Sequence, residues 1–305
     1  MDLIKPGTHI DFVGKMRKAV IVSAVLILIS IGSLIYHKGP NWGVEFTGGS
    51  EIHIKLTKDV GLEQIKSTLD KAGYPPDEVQ RIGLQGDNEY LIRFSADLVK
   101  FEQIQSFQKV LEGIMSSDPE FKGGSILRVD YIGPKVGAEL IEKAIIAILL
   151  GCVGILIYVM LRFEFAFALG AVIALLHDTI ITIGAVSITD KEFTLTIIAA
   201  LLTVIGYSVN DTIIIFDRIR ENMKKGGRAT FEEIVNDSVN QTLSRTILTS
   251  STVFIVLLSL FFLGGSVIHD FAFALIVGVL VGTFSSVFVA SAIVIYWRKK
   301  RGLTV

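Results

Sequence analysis

The 305-residue chain has a single cysteine, and Cys152 lies inside an apolar run. One cysteine excludes an intrachain disulfide and a cysteine-based zinc or iron–sulfur cluster, and it leaves the redox compartment unread. Charge is also scarce. Only 19% of residues are Asp, Glu, Lys or Arg, 51% are hydrophobic, and mean hydropathy is +0.59. An ordinary soluble domain carries roughly a quarter charged residues, so the bilayer is the expected solvent. The 29 basic and 30 acidic residues give a net charge of -1, which argues against nucleic-acid binding or an acidic substrate. Enzyme signatures are missing too: there is no H-E-x-x-H, Walker A loop, G-x-S-x-G elbow or glycine-rich fingerprint between a strand and a helix. No catalytic residue, metal ligand or cofactor is expected.

Long apolar runs are abundant. Crossing the hydrocarbon core as a helix takes about 20 mostly apolar residues, and six stretches have that character: 18–37, 139–161, 165–188, 194–217, 246–264 and 270–297. Lys15, Arg17 and Lys18 precede the first as they would a signal peptide. Its run exceeds the roughly 7–15 residues of a signal h-region, however, and no small-x-small cleavage site follows. It is expected to be a retained helix.

Basic residues of short loops stay on the cytoplasmic side. One side collects Lys5, Lys15, Arg17 and Lys18, then Arg162, then Arg218, Arg220, Lys224, Lys225 and Arg228, then Arg298, Lys299, Lys300 and Arg301; the other side's short loops hold only Lys191. Residues 1–17 and the basic tail 298–305 are therefore expected in the cytoplasm, and 38–138 outside it. That long segment has the composition of a soluble domain. Its patterning predicts strands at 43–57, 79–84, 89–94 and 125–132 and helices at 61–73 and 100–116, the latter with Phe101, Ile104, Phe107 and Leu111 on one face. Gln85-Gly86-Asp87-Asn88 reads as the turn between the middle strands. The order β-α-β-β-α-β is ferredoxin-like. The predicted fold is a six-helix polytopic membrane protein, one helix plus a five-helix bundle over 139–297, with an α+β extracytoplasmic domain.

Polar groups within membrane helices are expensive and usually face a bundle interior or a water path. In the fourth span Thr203, Tyr207, Asn210 or Asp211, and Asp217 or Arg218 recur at helical spacing. Asp211 precedes Asp217 by roughly 9 Å along the axis, inside the hydrocarbon zone. His177 and Asp178 form a second polar pair in the third span, with Gly170 and Gly184 on either side and Thr182 one turn on. Arg245, Thr249 and Thr252 share a face of the fifth span; Arg245 either partners Asp211 or snorkels to the surface. Gly278, Gly282, Ser286 and Ala290 make a ridge of small residues suited to helix packing. Blander readings stand beside these. Asp217, Arg218, Arg220 and Glu221 suit a solvated helix end, His177 a satisfied interior histidine, Asp178 a brace for polar neighbours, and His53 an inert strand position. Gly48-Gly49 and Gly123-Gly124 read as turns.

Several long segments resemble one family, SecF: Gly43-Val44-Glu45-Phe46-Thr47-Gly48-Gly49, Val136-Gly137-Ala138-Glu139-Leu140, His177-Asp178, Gly206-Tyr207-Ser208-Val209-Asn210-Asp211-Thr212, Phe216-Asp217-Arg218-Ile219-Arg220-Glu221-Asn222, Leu243-Ser244-Arg245-Thr246-Ile247-Leu248-Thr249, and the stretch from Gly282 to Ser291. The resemblance spans nearly the whole chain. Glu45 departs from the Asp more usual in the family but keeps its charge. The resemblance implies half of an RND-like transporter in the bacterial inner membrane. It implies an accessory subunit of the Sec translocase that pairs with SecD, works with the SecYEG channel, and draws unfolded polypeptide outward using the proton-motive force. Asp211 and Arg245 match the family's proton-conducting pair, with Asn210 and Asp178 as further candidates for the relay. Gly43, Phe46, Gly48, Gly49, Gly206, Tyr207, Asp217 and Arg218 match its motifs. Three rivals remain: a half-size small-molecule exporter, an intramembrane aspartyl protease whose Asp178 and Asp211 would lie within about 3 Å of one another, and a structural scaffold.

Overall fold

The structure, a computed structural model, describes residues 9–82, 86–95, 104–226 and 228–302. They fall into two units, an α/β unit from residues 42–145 with 264–269, and a helical unit from 9–41, 146–263 and 270–302.

The α/β unit contains α2 (Val44–Thr47), β1 (Gly49–Lys55), α3 (Leu62–Lys71), β2 (Glu78–Ile82), β3 (Glu89–Phe94), α4 (Ile104–Ser117) and β4 (Ser125–Ile132). The expected strand over 43–57 is wrong in its first third. Residues Val44–Thr47 form one helical turn, and Gly48 and Gly49, with φ of 72° and 136°, turn the chain into β1. Backbone in this region is accessible to glycine at little cost. From Gly49 onward the alternation holds, with Ile52 and Ile54 fully buried and Glu51 and His53 on the other face. Residues 83–85 and 100–103, including Phe101, lie outside the described residues.

The four strands form an antiparallel sheet in the order β2-β3-β1-β4, with His53 opposite Leu91 and Arg128. Each helix links two strands that flank a third, an arrangement of two split β-α-β units. The core brings Ile52, Ile54, Ile65, Leu69, Ile92, Phe94 and Phe107 together beneath the helices. Tyr90 is fully buried with its hydroxyl accepting from the Val60 amide at 2.8 Å and donating to Asp59 at 3.1 Å, so its polar end is satisfied.

Among the described residues six helices are long and apolar enough to cross a membrane: Met16–Tyr36, Val136–Arg162, Phe165–Ile188, Leu195–Lys224, Phe231–Leu263 and Ile268–Lys300. They belong to α1 (Met16–Tyr36), α5 (Pro134–Arg162), α6 (Phe165–Ile188), α7 (Leu195–Lys224), α8 (Phe231–Leu263), α9 (Gly265–Ser285) and α10 (Ser291–Lys300), the last two joined by a π-helical turn at Ser286–Ala290. The chain is a multi-pass membrane protein. Helix α8 begins well before the expected 246. Its polar first half stays helical because Asn236 and Asn240 find partners in the segment before α1: Asn236 accepts from the Phe12 amide and Asn240 from the Ile10 amide, both at 2.8 Å, and both side chains donate to the Ile10 carbonyl. Phe12 is thereby lodged against Phe288, ring centres 5.8 Å apart.

Helix α6 is the enclosed centre of the helical unit, and two glycines permit this. A Cβ on Gly184 would overlap Ser30 of α1, and one on Gly170 would sit 2.9 Å from the Ala290 carbonyl of the π-helical turn. Helix α5, by contrast, exposes Leu149, Leu150, Val153 and Leu161.

In the sheet, burial raises the Glu51 carboxyl above its ordinary range, reinforced by Glu45 and Asp130, although Arg93 beside it pulls the other way. A carboxyl whose folded pKa is raised stabilises the fold only while protonated. Its contribution is complete below the unfolded value and disappears as pH climbs through the folded one. Thermal unfolding of the α/β unit, followed by fluorescence of Trp42, should therefore show stability declining from acidic towards neutral pH, and Glu51→Gln should flatten that slope. An unchanged slope in the variant would refute the assignment.

Candidate functional site

One face of α7 presents Val204, Ser208 and Thr212 at four-residue spacing, and the facing ridge of α9 and the π-helical turn presents Gly278, Gly282 and Ser286 at the same spacing. A Cβ on Gly278 would collide with Val204, one on Gly282 would lie 3.1 Å from Ser208 Cβ, and Ser286 Oγ is 3.0 Å from Thr212 Oγ1. Small residues on both sides let the two backbones approach closely. They also leave room for a third helix to insert a charge.

That charge is Asp178 of α6, 1% exposed. Its Oδ2 accepts from Ser208 Oγ at 2.5 Å and from Ser285 Oγ at 2.8 Å, while Oδ1 lies 2.8 Å from His177 Nδ1. Thr182 Oγ1 donates to the Asp178 carbonyl at 2.7 Å. A single carboxylate thus ties α6, α7 and α9 together at one level. Buried charges need such partners, since hydrogen bonds to ionised groups are worth about 1.5–3 kcal/mol each.

Asp211 is the opposite case. It is equally buried, at 1% exposed, yet neither carboxylate oxygen has a hydrogen-bond partner among the described residues. It stands about 24 Å from one end of α7 and about 20 Å from the other at 1.5 Å per residue. The charge that acts on it is Arg245 of α8. Thr246, next to that arginine, is also buried with its hydroxyl unpartnered among the described residues. A cleft of about 330 Å³ between α7 and α8 runs from the ionised ends of Asp217, Arg218 and Glu221 to Arg245, with Ile214, one turn after Asp211, in its wall.

The sequence-based stripe on α7 divides. Thr203, Gly206 and Asn210 are exposed, Tyr207 is half-buried, and Ser208, Asp211 and Thr212 are buried. Successive residues on a helix are about 100° apart, so Asn210 points away from the face that carries Asp211. Gly206 has nothing within 4 Å of where its Cβ would be. Tyr207 donates to Ser250 Oγ at 3.1 Å, which is 2.8 Å from Thr283 Oγ1. Asp217 pairs with Arg162 at 3.2 Å and Arg218 with Glu221 at 2.7 Å, as suits a solvated helix end. Gly43, Phe46, Gly48 and Gly49 lie in the α/β unit. There Phe46 is buried against Trp42, with ring centres 5.3 Å apart, and Gly137 of α5 leaves room for the Phe46 carbonyl. Sequence reasoning assigned no role to Ser208, Ser285 or Thr212. The signal available for Ser208 and Thr212 was their four-residue spacing along α7, matched by that of Gly278, Gly282 and Ser286; Ser285 lies off that spacing and left none.

Comparisons with known proteins agree with this architecture. Residues 116–300 match the model of "Protein export membrane protein SecD/SecF, C-terminal", and residues 33–60 match the "SecD/SecF GG Motif". The chain is 44% identical over 298 residues to "Protein translocase subunit SecF" of Calditerrivibrio nitroreducens, covering 96% of each chain, and 45% identical to that of Magnetococcus marinus, covering 97% of this chain and 94% of the relative. It also aligns at 37% identity with "Protein translocase subunit SecDF" of Thermus thermophilus, where it spans 40% of the longer protein. A crystal structure of SecDF from that organism superimposes with a TM-score of 0.86 at 36% identity, covering 98% of this chain and 40% of that one. A membrane protein of the SecD/SecF export class is thereby defined. The chain belongs to the SecF family.

Two substitutions separate bracing from chemistry at Asp178. Asp178→Asn can still accept from both serines while its amide faces His177, so thermal stability in detergent should fall by about 1–2 kcal/mol, as charged hydrogen bonds become neutral ones. Asp178→Ala strands three polar groups and should cost about 3–5 kcal/mol. Equal loss in both would mean that the negative charge itself holds the helices. At the ridge, Gly282→Val should destabilise by about 1–3 kcal/mol, because the added methyls must displace Ser208 or Asp178. Unaltered melting of this variant would show that α7 and α9 do not pack as described.

Proposed function

We propose that this protein is an accessory, non-enzymatic subunit of the Sec protein translocase that couples proton entry to polypeptide export across the bacterial inner membrane. Relatives named SecF and SecDF support the translocase assignment. The fusion of both halves in the Thermus thermophilus protein supports SecD as partner, since this chain corresponds to 40% of it. The exposed Thr203, Gly206 and Asn210 face of α7 suits a second membrane helix, because small and polar residues let helices approach and hydrogen-bond in lipid. The distribution of basic residues supports cytoplasmic ends and an α/β unit outside, where it would meet the emerging chain near the SecYEG channel.

The observation that carries the proton-coupled reading is Asp211, buried at mid-helix with both oxygens unpartnered among the described residues and Arg245 of α8 the charge that acts on it. A carboxyl so placed changes protonation whenever a helix movement alters its access to water or its distance from the guanidinium. A proton falling through 100 mV supplies about 2.3 kcal/mol, nearly a fifty-fold bias on a two-state equilibrium. That bias would drive the α/β unit between two dispositions and oppose backsliding of the exported chain. Asn210, on the exposed face, is better suited to a helix partner than to the relay, and Asp178 to bracing the bundle in which Asp211 moves. The aspartyl-protease alternative requires two acids sharing a proton. Here Asp178 is engaged by Ser208, Ser285 and His177, and among the described residues it shares no hydrogen bond with Asp211.

The test is export into inverted membrane vesicles with and without a proton gradient. Asp211→Asn and Arg245→Met should assemble normally and support gradient-independent export at the wild-type level, while the gradient-dependent increment disappears. Retention of that increment by Asp211→Asn would overturn the proposal.

A further inference from the structure

The junction between α5 and α6 has a feature that the proton-coupled reading leaves unused. A cleft of about 540 Å³ opens there, with Leu161, Arg162, Phe163, Arg220 and Lys224 in its wall, together with one acid, Glu164. Of its cations, Arg162 and Arg220 are also held by groups other than carboxylates. Arg220 Nη1 donates to the Arg162 carbonyl at 2.8 Å, one of the terminal carbonyls that a helix end leaves without an internal partner. The guanidinium carbons of Arg162 and Arg220 stand 5.7 and 5.9 Å from the centre of the Phe163 ring, and that ring is buried in the bundle core. One aromatic ring thus lies within cation–π range of two guanidiniums.

The acids nearby are already engaged. Glu164 pairs with Arg298 at 2.8 Å, and Asp217 pairs with Arg162 at 3.2 Å. Arg220 and Lys224 are in no ion pair among the described residues. The cleft therefore carries uncompensated positive charge at the end of two membrane helices. Leading away from it along α5 is an apolar strip of Ile157, Tyr158 and Leu161, the last 85% exposed, and these residues share one helix face by their spacing.

We propose that the cleft binds the phosphate of an anionic phospholipid, with the acyl chains lying along Ile157, Tyr158 and Leu161. The phosphate chemistry is shared with free inorganic phosphate, but only a lipid gains from the apolar strip. A choline headgroup would bring its own cation against Arg220 and Lys224, so phosphatidylglycerol fits and phosphatidylcholine does not. The inference depends on the chain spanning a bilayer and not on the translocation reading.

The test uses the full chain in nanodiscs of mixed phosphatidylcholine and phosphatidylglycerol, with retained lipids counted by native mass spectrometry after solubilisation. Wild type should retain phosphatidylglycerol preferentially. Each basic residue removed should lower that preference roughly fivefold, so R220Q/K224Q should lose about 25-fold. R220K/K224R, which keeps both charges, should retain most of it, and K299Q/K300Q, which removes as much charge elsewhere, should leave it unchanged. Circular dichroism reports folding; if R220Q/K224Q does not fold, K224Q alone, at an exposed position, should still show the fivefold loss. Millimolar inorganic phosphate should not displace the lipid. The proposal is overturned if wild type shows no preference, if the Gln variants keep it, if K299Q/K300Q loses as much, or if phosphate alone competes, which would mark a simple anion site.

Discussion

In hydrocarbon no water completes an unfinished hydrogen bond, and each polar group left alone costs several kcal/mol. The helical unit is organised by that constraint. Several of its serines and threonines return their hydroxyls to the carbonyl one turn back, as Thr182, Thr212 and Ser286 do, and others spend them on Asp178, as Ser208 and Ser285 do. Close backbone approach, which the glycines at 170, 184, 278 and 282 permit, brings these short side chains within reach of one another across three helices.

Against that background the two buried aspartates divide the work. Asp178 is fully engaged and joins helices. Asp211, on the same helix face as Ser208 and Thr212, is enclosed without being engaged. An element that is satisfied has one preferred state, and an element that is not can be biased between states by whatever reaches it. In the proposed function the hydrogen-bonded cluster around Asp178 would serve as the frame, and Asp211 as the responsive group within it.

Much of this was legible in the sequence. Hydropathy marked the six membrane helices, and alternation at Ile52, Ile54 and Leu56 marked the inner face of β1. Intramembrane acids stood out because so few charges interrupt the apolar runs. Other features depend on tertiary partners and leave weaker traces. The polar start of α8 remains helical because Asn236 and Asn240 hold the backbone at Ile10 and Phe12, more than 220 residues away. The helical turn at Val44–Thr47 overrides a pattern that reads as strand. Periodicity also could not divide Asn210 from Asp211, because adjacent residues belong to the same stripe until the neighbouring helices select one of them.

The π-helical turn at Ser286–Ala290 has a mechanical implication. Such a turn closes its hydrogen bonds five residues apart, one more than an α-helix, and Ser291 Oγ donates to the Ser286 carbonyl at 3.3 Å, patching the ladder where it is widest. The inserted residue puts α10 about 100° out of phase with α9. The last membrane crossing therefore presents a rotated set of side chains beyond its midpoint, and the change of phase falls where the bare Gly170 of α6 lets the Ala290 carbonyl come close.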